Sequence, residues 1–222
     1  ARIERYLTLA QDAGVNPVVV LTKVDLTDTP QDYVKRAKTL LPDLDVILLN
    51  AKDPTSVEQL LPWCNKGQTA AFLGSSGVGK STLINTLTGD DQIATQDVRQ
   101  TDDKGRHTTT SRELHLLSTG GLLMDTPGMR ELQLTDVQMG VEEVFSDITD
   151  LALTCRFRDC KHQTEPGCAI RAALESGDLE ETRLQRWKKL SEEDQQNTQN
   201  LAKRHAREQS SGKMAKRSKK GK

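Results

Sequence analysis

The segment from Gly74 to Ser81, which reads GSSGVGKS, constrains the fold of this chain more than any other. It matches G-x-x-x-x-G-K-[S/T], a loop whose glycines let backbone N–H groups turn inward around phosphate oxygens. An apolar run, Thr69 to Gly74, precedes the loop, and Leu83 and Leu87 follow it at helical spacing. The sequence therefore predicts a strand, a phosphate-binding loop and a helix, in that order.

Two residues of this phosphate-binding loop (P-loop) have a predicted chemistry of their own. Lys80 is predicted to reach the β- and γ-phosphates of a nucleotide, and the Ser81 hydroxyl to bind Mg²⁺. The predicted nucleotide contacts are Gly74, Ser75, Ser76, Gly77, Val78, Gly79, Lys80, Ser81 and Thr82. A glycine-rich turn that binds nothing is the alternative, which the flanking strand and helix disfavour. The loop by itself does not distinguish ATP from GTP.

A second phosphate-binding element is the tetrapeptide DTPG, Asp125 to Gly128, which ends the apolar run GLLM. Asp125 can hold Mg²⁺ through a water molecule, and the Gly128 N–H can contact the γ-phosphate. An ordinary turn is the alternative, but the position after a P-loop, at the end of a predicted strand, favours the functional interpretation. The preceding residues 111–118 predict a partner strand, joined to this one by a turn at Gly120 and Gly121.

Two polar segments, TKVD and NAK, end the first two apolar runs of the chain. Together they predict a binding site for the base of a nucleotide. Asp25 of TKVD can accept hydrogen bonds from guanine N1–H and N2–H₂, a donor pair that adenine lacks, and the stem of Lys23 can cover the base. A backbone N–H of NAK, Asn50 to Lys52, can meet guanine O6. The predicted base contacts are Thr22, Lys23, Val24, Asp25, Asn50, Ala51 and Lys52.

The order of these elements predicts a circular permutation. In the usual order the segments that recognise guanine follow the P-loop, whereas here they precede it. Because strands are held by their neighbours in space, a sheet tolerates joining the old termini and opening the chain elsewhere. Alternating strands and helices then predict an α/β fold, a circularly permuted P-loop domain with a mostly parallel sheet.

The segment from Cys155 to Cys168, called the Cys/His segment below, has the pattern Cys155-x₄-Cys160-x-His162-x₅-Cys168. Three thiols and one imidazole in so short a stretch fit a structural zinc site better than a disulfide framework. Buried free thiols are the alternative. Such use of cysteine is typical of the reducing cytoplasm.

The chain is predicted to have three parts. We expect the P-loop domain at residues 1–148, a small zinc-binding helical domain at 149–195 and a basic, disordered tail at 196–222. The tail has nine lysines and arginines and one acid, in a chain of formal net charge −1, which predicts a polyanionic partner. No apolar run in the sequence approaches the roughly 18 residues that a membrane-spanning helix needs.

The order TKVD, NAK, GSSGVGKST, GRHTTT, DTPG and Cys/His segment resembles that of the bacterial small ribosomal subunit biogenesis GTPases, the RsgA/YjeQ family. The resemblance implies GTP hydrolysis with Mg²⁺, one structural zinc ion, stimulation by the small (30S) ribosomal subunit, binding to 16S rRNA and a role in late assembly of that subunit. From the sequence we also expect a cytoplasmic protein without a membrane partner, present as a monomer. The family's N-terminal OB-fold domain has no counterpart here, so we expect a truncated chain, and Thr22 stands where asparagine is commoner.

The polar stretch at 90–110 is predicted to act in hydrolysis. Among its three consecutive threonines we favour Thr109 to complete the Mg²⁺ shell. Ras-like enzymes align the attacking water with a glutamine after D-x-x-G, but Met129 stands at that position. We therefore assign His107 as a catalytic residue beside Lys80, which the resemblance supports; a solvent-exposed loop histidine is the alternative.

Three other functions fit parts of the sequence. A permuted GTPase of large-subunit assembly shares the motif order, although the Cys/His segment argues against it. A nucleotide-dependent RNA-binding switch with negligible turnover would use the same motifs, and an ATPase would share the P-loop. Hydrolysis rates with isolated ribosomal subunits, and competition of ATP against GTP, distinguish these alternatives.

Overall fold

The computed structural model describes residues 2–89, 113–125 and 132–220. The chain folds into two compact units. The terminal unit combines residues 1–16 with residues 133–222, and the P-loop unit comprises residues 17–132. Residues 133–148 thus group with the C-terminal helices, and the domain boundaries drawn from the sequence at 148 and 195 stay a prediction.

Within the P-loop unit, helices and strands alternate as predicted. The elements of both units, in chain order, are α1 (Arg2–Asp12), β1 (Val18–Leu21), α2 (Pro30–Lys38), β2 (Asp45–Leu48), α3 (Pro54–Val57), β3 (Thr69–Phe72), α4 (Lys80–Thr88), β4 (Glu113–Leu116), β5 (Leu122–Asp125), α5 (Gln138–Val144), α6 (Ser146–Leu153), α7 (Ala169–Ser176) and α8 (Glu181–Lys220). The apolar runs that end in TKVD and NAK form strands β1 and β2, and the strand predicted before the P-loop is confirmed as β3. Helix α4 ends at Gly89, whose φ of +69° is the left-handed conformation that glycine favours at a helix end.

The strands of the P-loop unit form a two-stranded and a three-stranded sheet. β1 pairs with β2, and β3 with β5, both in parallel, while β4 pairs with β5 in the antiparallel sense. The predicted α/β arrangement of mostly parallel strands and the predicted β4–β5 hairpin are confirmed. The hairpin turn requires glycine at position 121, because an added Cβ would lie 2.2 Å from the carbonyl oxygen of Cys64.

Helix α4 packs against the cores of both sheets. Leu83 belongs to a buried cluster with Ile47, whereas Ile84 belongs to a second cluster with Leu123 of β5. Phe72 of β3 packs against both clusters. Burying each such side chain contributes about 1.5–3 kcal/mol. Because α4 begins directly after the P-loop, this burial fixes the loop relative to both sheets.

Helix α1, which the sequence analysis did not predict, joins the terminal unit through close packing and buried ion pairs. Gly140 of α5 approaches it so closely that an added Cβ would lie 2.0 Å from the carbonyl oxygen of Thr8. The Glu4 side chain is buried, and its carboxylate lies 3.1 Å from Arg183 Nη1 and 2.9 Å from Arg186 Nε. Removing one partner from the buried pair of Glu4 and Arg183 costs about 3–5 kcal/mol, because it leaves the other charge buried and unpaired.

Helix α8 runs from Glu181 to Lys220, through the segment for which the sequence analysis expected disorder. Alanine, lysine, arginine and glutamine dominate that segment, and all four residues favour helix. The expectation of disorder came from charge and polarity, which do not include this local preference. Within the described residues, no helix is both long and apolar enough to span a lipid bilayer.

Candidate functional site

The P-loop turns on three glycines with positive φ, at Gly74 (+155°), Gly77 (+76°) and Gly79 (+98°). Lys80 Nζ donates hydrogen bonds to the carbonyl oxygens of Gly74 and Ser75, at 2.8 and 2.7 Å. The loop therefore curls around a positive charge. The N-terminus of α4 follows at once and adds the partial positive charge that favours a bound phosphate.

The TKVD segment contacts the P-loop directly. Thr22 Oγ1 donates a hydrogen bond to the carbonyl oxygen of Val78 at 2.7 Å, and Lys23 Nζ donates one to that of Gly77 at 2.9 Å. Two segments far apart in the sequence thus meet, as the circular permutation requires. Sequence reasoning missed the bond from Thr22 to Val78, and the threonine hydroxyl was the only signal that could have suggested it.

The NAK segment lies against the same loop. Ala51 is buried, and its Cβ lies 3.8 Å from the position of a Cβ added to Gly79. The Ala51 carbonyl oxygen accepts a hydrogen bond from Thr86 Oγ1 of α4 at 2.8 Å. The backbone of Ala51 is therefore fixed to the helix that follows the P-loop, and such rigid support is what a base-recognising N–H needs.

Asn50 and Asp25 occupy turns that follow β2 and β1. Asn50 Oδ1 accepts a hydrogen bond from the Lys52 N–H at 3.1 Å, and the Asn50 N–H donates to Ser56 Oγ at 3.0 Å. Asp25 lies in the 3₁₀ turn Val24–Leu26 and is exposed. Its carboxylate is therefore accessible to the edge of a base, and a base bound there would shield it from water.

The residues predicted to bind Mg²⁺ and to act in hydrolysis lie only partly within the described chain. Asp125 ends β5 opposite the last residue of β3, so its backbone lies at the sheet edge from which the P-loop starts. Ser81 and Thr82 lie in the first turn of α4. His107, Thr109 and Gly128 lie outside the described residues, and their roles remain predictions.

The four side chains that the sequence predicts as metal ligands in the Cys/His segment converge. One ligand atom from each of Cys155, Cys160, His162 and Cys168 lies within 4.8 Å of the other three. His162 Nδ1 is 3.6 Å from Cys155 Sγ and 3.5 Å from Cys168 Sγ, and these two sulfurs are 3.9 Å apart. Tetrahedral ligands around zinc stand roughly 3.6–3.8 Å apart, whereas a disulfide joins sulfurs at about 2.05 Å. The donor set and its spacing fit one zinc ion.

The pKa values of the ligand groups shift in different directions, since burial raises that of the Cys160 thiol to about 11. Burial, assisted by the charge of Lys188, lowers the pKa of His162, which favours the neutral ring. Burial opposes ionisation of the Cys155 thiol, but hydrogen bonds from the N–H groups of Ala169 and Ile170 contribute to a net lowering of its pKa. Neutral imidazole and thiolate are the forms that bind zinc.

Residues 1–135 match the sequence profile of the RsgA GTPases. The chain belongs to the RsgA GTPase family. It is 51% identical over 214 residues to the small ribosomal subunit biogenesis GTPase RsgA 2 of Vibrio parahaemolyticus, and 52% identical over 201 residues to RsgA of Mesorhizobium japonicum. These alignments cover 96% and 89% of this chain but 60% and 58% of the relatives, so the chain spans about three fifths of the length of the curated RsgA proteins it matches.

Solved structures of YjeQ and YloQ are among those that share the fold of this chain. The crystal structure of YjeQ from Thermotoga maritima aligns with a TM-score of 0.56 at 30% identity, covering 85% of this chain and 63% of that one. The structure of YloQ, described as a circularly permuted GTPase, aligns with a TM-score of 0.56 at 28% identity, covering 86% and 62%. The circularly permuted fold predicted from the motif order is thereby confirmed.

The hydrogen bond between Thr22 and the P-loop predicts how a substitution at Thr22 changes the affinity for a guanine nucleotide. Thr22→Val keeps the side-chain shape but removes the donor to Val78, and a hydrogen bond of this kind contributes about 0.5–1.5 kcal/mol. We expect GDP binding to weaken roughly 3- to 10-fold. Titration with a fluorescent GDP analogue measures the change. Thr22→Ser, which keeps the hydroxyl, should stay close to wild type, and equal affinity of the valine variant would show that the bond does not support the site.

Proposed function

We propose that this chain binds guanine nucleotides with Mg²⁺ and hydrolyses GTP to GDP and phosphate. The observation that carries the proposal is the convergence of Thr22 and Lys23 on the carbonyl oxygens of Val78 and Gly77. A P-loop alone would accept several nucleotides. A guanine-recognising segment bonded to that loop supports a nucleotide held at both of its ends, by base and by phosphate.

In this proposal each element has one task. Asp25 accepts the guanine N1–H and N2–H₂ donors, and a backbone N–H of the NAK segment meets O6. Lys80 neutralises charge on the β- and γ-phosphates, and Ser81, Thr109 and Asp125 hold Mg²⁺, the last through water. His107 aligns the attacking water. Without a supplied arginine or an aligned glutamine, the unaided rate should be low.

We further propose that the chain acts in late assembly of the small ribosomal subunit in the cytoplasm, as a monomer that contacts 16S rRNA. The names of the matched relatives support the subunit. In the Cys/His segment, exposed Arg156 stacks 5.5 Å from the centre of the Phe157 ring, which is 41% exposed. Exposed Arg158 and Lys161 lie in the same segment. Cationic side chains beside an exposed aromatic ring suit phosphate contacts and base stacking.

We propose one zinc ion at Cys155, Cys160, His162 and Cys168. With four protein ligands the site is closed, which is typical of structural rather than catalytic zinc. When bound, the ion would cross-link a segment that has little apolar core of its own. The fit of the spacing between His162 and the two nearest sulfurs supports this assignment.

GTP hydrolysis measured with isolated ribosomal subunits tests the proposed function. We expect slow turnover of the chain alone and at least about tenfold stimulation by small subunits, because a bound activator supplies the missing alignment. Large subunits should give no stimulation. His107→Ala should lose the stimulation while keeping nucleotide affinity.

Each other result has a defined meaning. Stimulation by large subunits only would replace the proposed partner. Negligible turnover under all conditions, with nucleotide-dependent binding to RNA, would indicate a switch rather than an enzyme. Full stimulated turnover of His107→Ala would remove that residue from the mechanism and leave the rest of the proposal standing.

A further inference from the structure

The carboxylate of Glu165 binds three backbone N–H groups within the Cys/His segment. Its Oε1 accepts from Lys161 at 2.7 Å, and its Oε2 accepts from Gln163 at 2.8 Å and Thr164 at 3.0 Å. Hydrogen bonds from Gln163 and Lys161, the largest contributions, hold the pKa of Glu165 at about 2. The side chain is thus a carboxylate at neutral pH, seated in a concave group of amides of the kind that binds anions.

The three donors lie on both sides of His162. This residue adopts the left-handed conformation, with φ of +57°, which is uncommon for a residue that has a Cβ. Such a conformation persists where the surrounding contacts determine it. The two oxygens of Glu165 bind the amides immediately before and after His162, so they set the backbone from which the imidazole projects.

The other half of the segment is closed by a different contact. The Arg156 N–H donates to the Gly167 carbonyl oxygen at 3.1 Å, which joins the residues next to Cys155 and Cys168. Gly167 has a φ of +77°, and an added Cβ would lie 3.0 Å from Arg156 Cβ. Backbone pairing therefore holds the residues beside Cys155 and Cys168, and the Cys160 N–H donates to the Phe157 carbonyl oxygen at 3.3 Å. The residues on both sides of His162 are held instead by a side chain, that of Glu165.

We propose that Glu165 is the positioning residue of the Cys/His segment, holding residues 161–164 so that His162 Nδ1 meets the sulfurs of Cys155 and Cys168. Glu165 does not itself contribute a ligand atom. The inference rests on the proposed zinc site and goes beyond it, because it assigns the geometry of the site to a residue outside the ligand set. Outer residues that orient ligands typically change metal affinity by about 10- to 100-fold when removed.

Zinc release from the full chain tests this role. The zinc-loaded protein is mixed with a coloured chelator, and the release rate is measured for wild type, Glu165→Ala and Glu165→Gln. We expect release at least about tenfold faster from the alanine variant and an intermediate rate from the glutamine variant, which keeps one acceptor oxygen. Asp159→Ala is the matched control, since among the described residues none donates a hydrogen bond to that exposed carboxylate, and it should release zinc at the wild-type rate.

The absorption spectrum of the cobalt-substituted protein separates positioning from general stability. A displaced imidazole changes the d–d bands, whereas a merely less stable fold leaves them unchanged below its unfolding temperature. Should the alanine variant fail to fold, the glutamine variant decides by the same two measurements. If both Glu165 variants released zinc at the wild-type rate and gave the wild-type cobalt spectrum, the positioning role of Glu165 would be overturned. The proposed zinc site itself would stand. Absence of bound zinc from the wild type would overturn the metal site as well, with the GTP hydrolysis assay unaffected.

Discussion

Replacing Asp25 with asparagine is expected to weaken GDP and GTP binding by about 1,000-fold. A carboxylate makes two charge-assisted hydrogen bonds to the guanine edge, each worth about 1.5–3 kcal/mol, and an amide directs an N–H donor at one of the base's own donors. The exposed position of Asp25 in its turn indicates that the fold tolerates the change. Competition against a fluorescent GDP analogue measures the loss.

Two controls make the Asp25 prediction specific. Asp28→Asn removes the same charge from an exposed residue of the same segment, and GDP affinity should stay within about twofold of wild type. Xanthine carries a carbonyl in place of the guanine amine, so Asp25→Asn should prefer XDP to GDP. Unchanged GDP affinity of the variant, or equal competition by ATP and GTP in the wild type, would contradict the guanine assignment and favour an ATPase.

Local sequence was sufficient to predict those elements of the candidate nucleotide site that local structure builds. The glycines of the P-loop, the strand before it and the helix to Gly89 depend on near neighbours in the chain, and each is present. The convergence of TKVD on this loop was predictable only through the motif order. The contact from Thr22 to Val78 was not, because it depends on how the two segments approach in space.

The terminal unit was the less predictable part of the fold. Helix α1 reaches its place through Glu4, which pairs with arginines near the opposite end of the chain. Hydrophobic periodicity in the sequence does not indicate such a long-range ion pair. Glu165 was likewise invisible, because an acid before Pro-Gly looks like an ordinary turn residue until its three amide contacts are known. Only the tertiary structure supplies the partners of Glu4, whereas those of Glu165 lie within four residues along the chain and depend on the local backbone conformation.

Replacing Cys168 with serine is expected to abolish stoichiometric zinc binding and to unfold the Cys/His segment. Cys168 is buried and precedes α7 directly, so its loss removes a ligand and the anchor of that helix. Structural zinc in small peptides contributes about 10–16 kcal/mol of apparent binding free energy, far more than the apolar core of so short a segment. Metal analysis, together with amide exchange across residues 155–176, measures both losses.

The same variant tests whether the two units are independent. The described residues of the proposed nucleotide site lie within the unit of residues 17–132. GDP affinity of Cys168→Ser should therefore stay within about twofold of wild type, even if amide hydrogens of the Cys/His segment exchange freely. Cys64→Ala is the matched control, since it removes a buried thiol of the P-loop unit and should keep one zinc per chain. Full amide protection of residues 155–176 without zinc would mean that helix packing alone holds the segment. A parallel loss of GDP binding would mean instead that the zinc site and the nucleotide site share one cooperative unit.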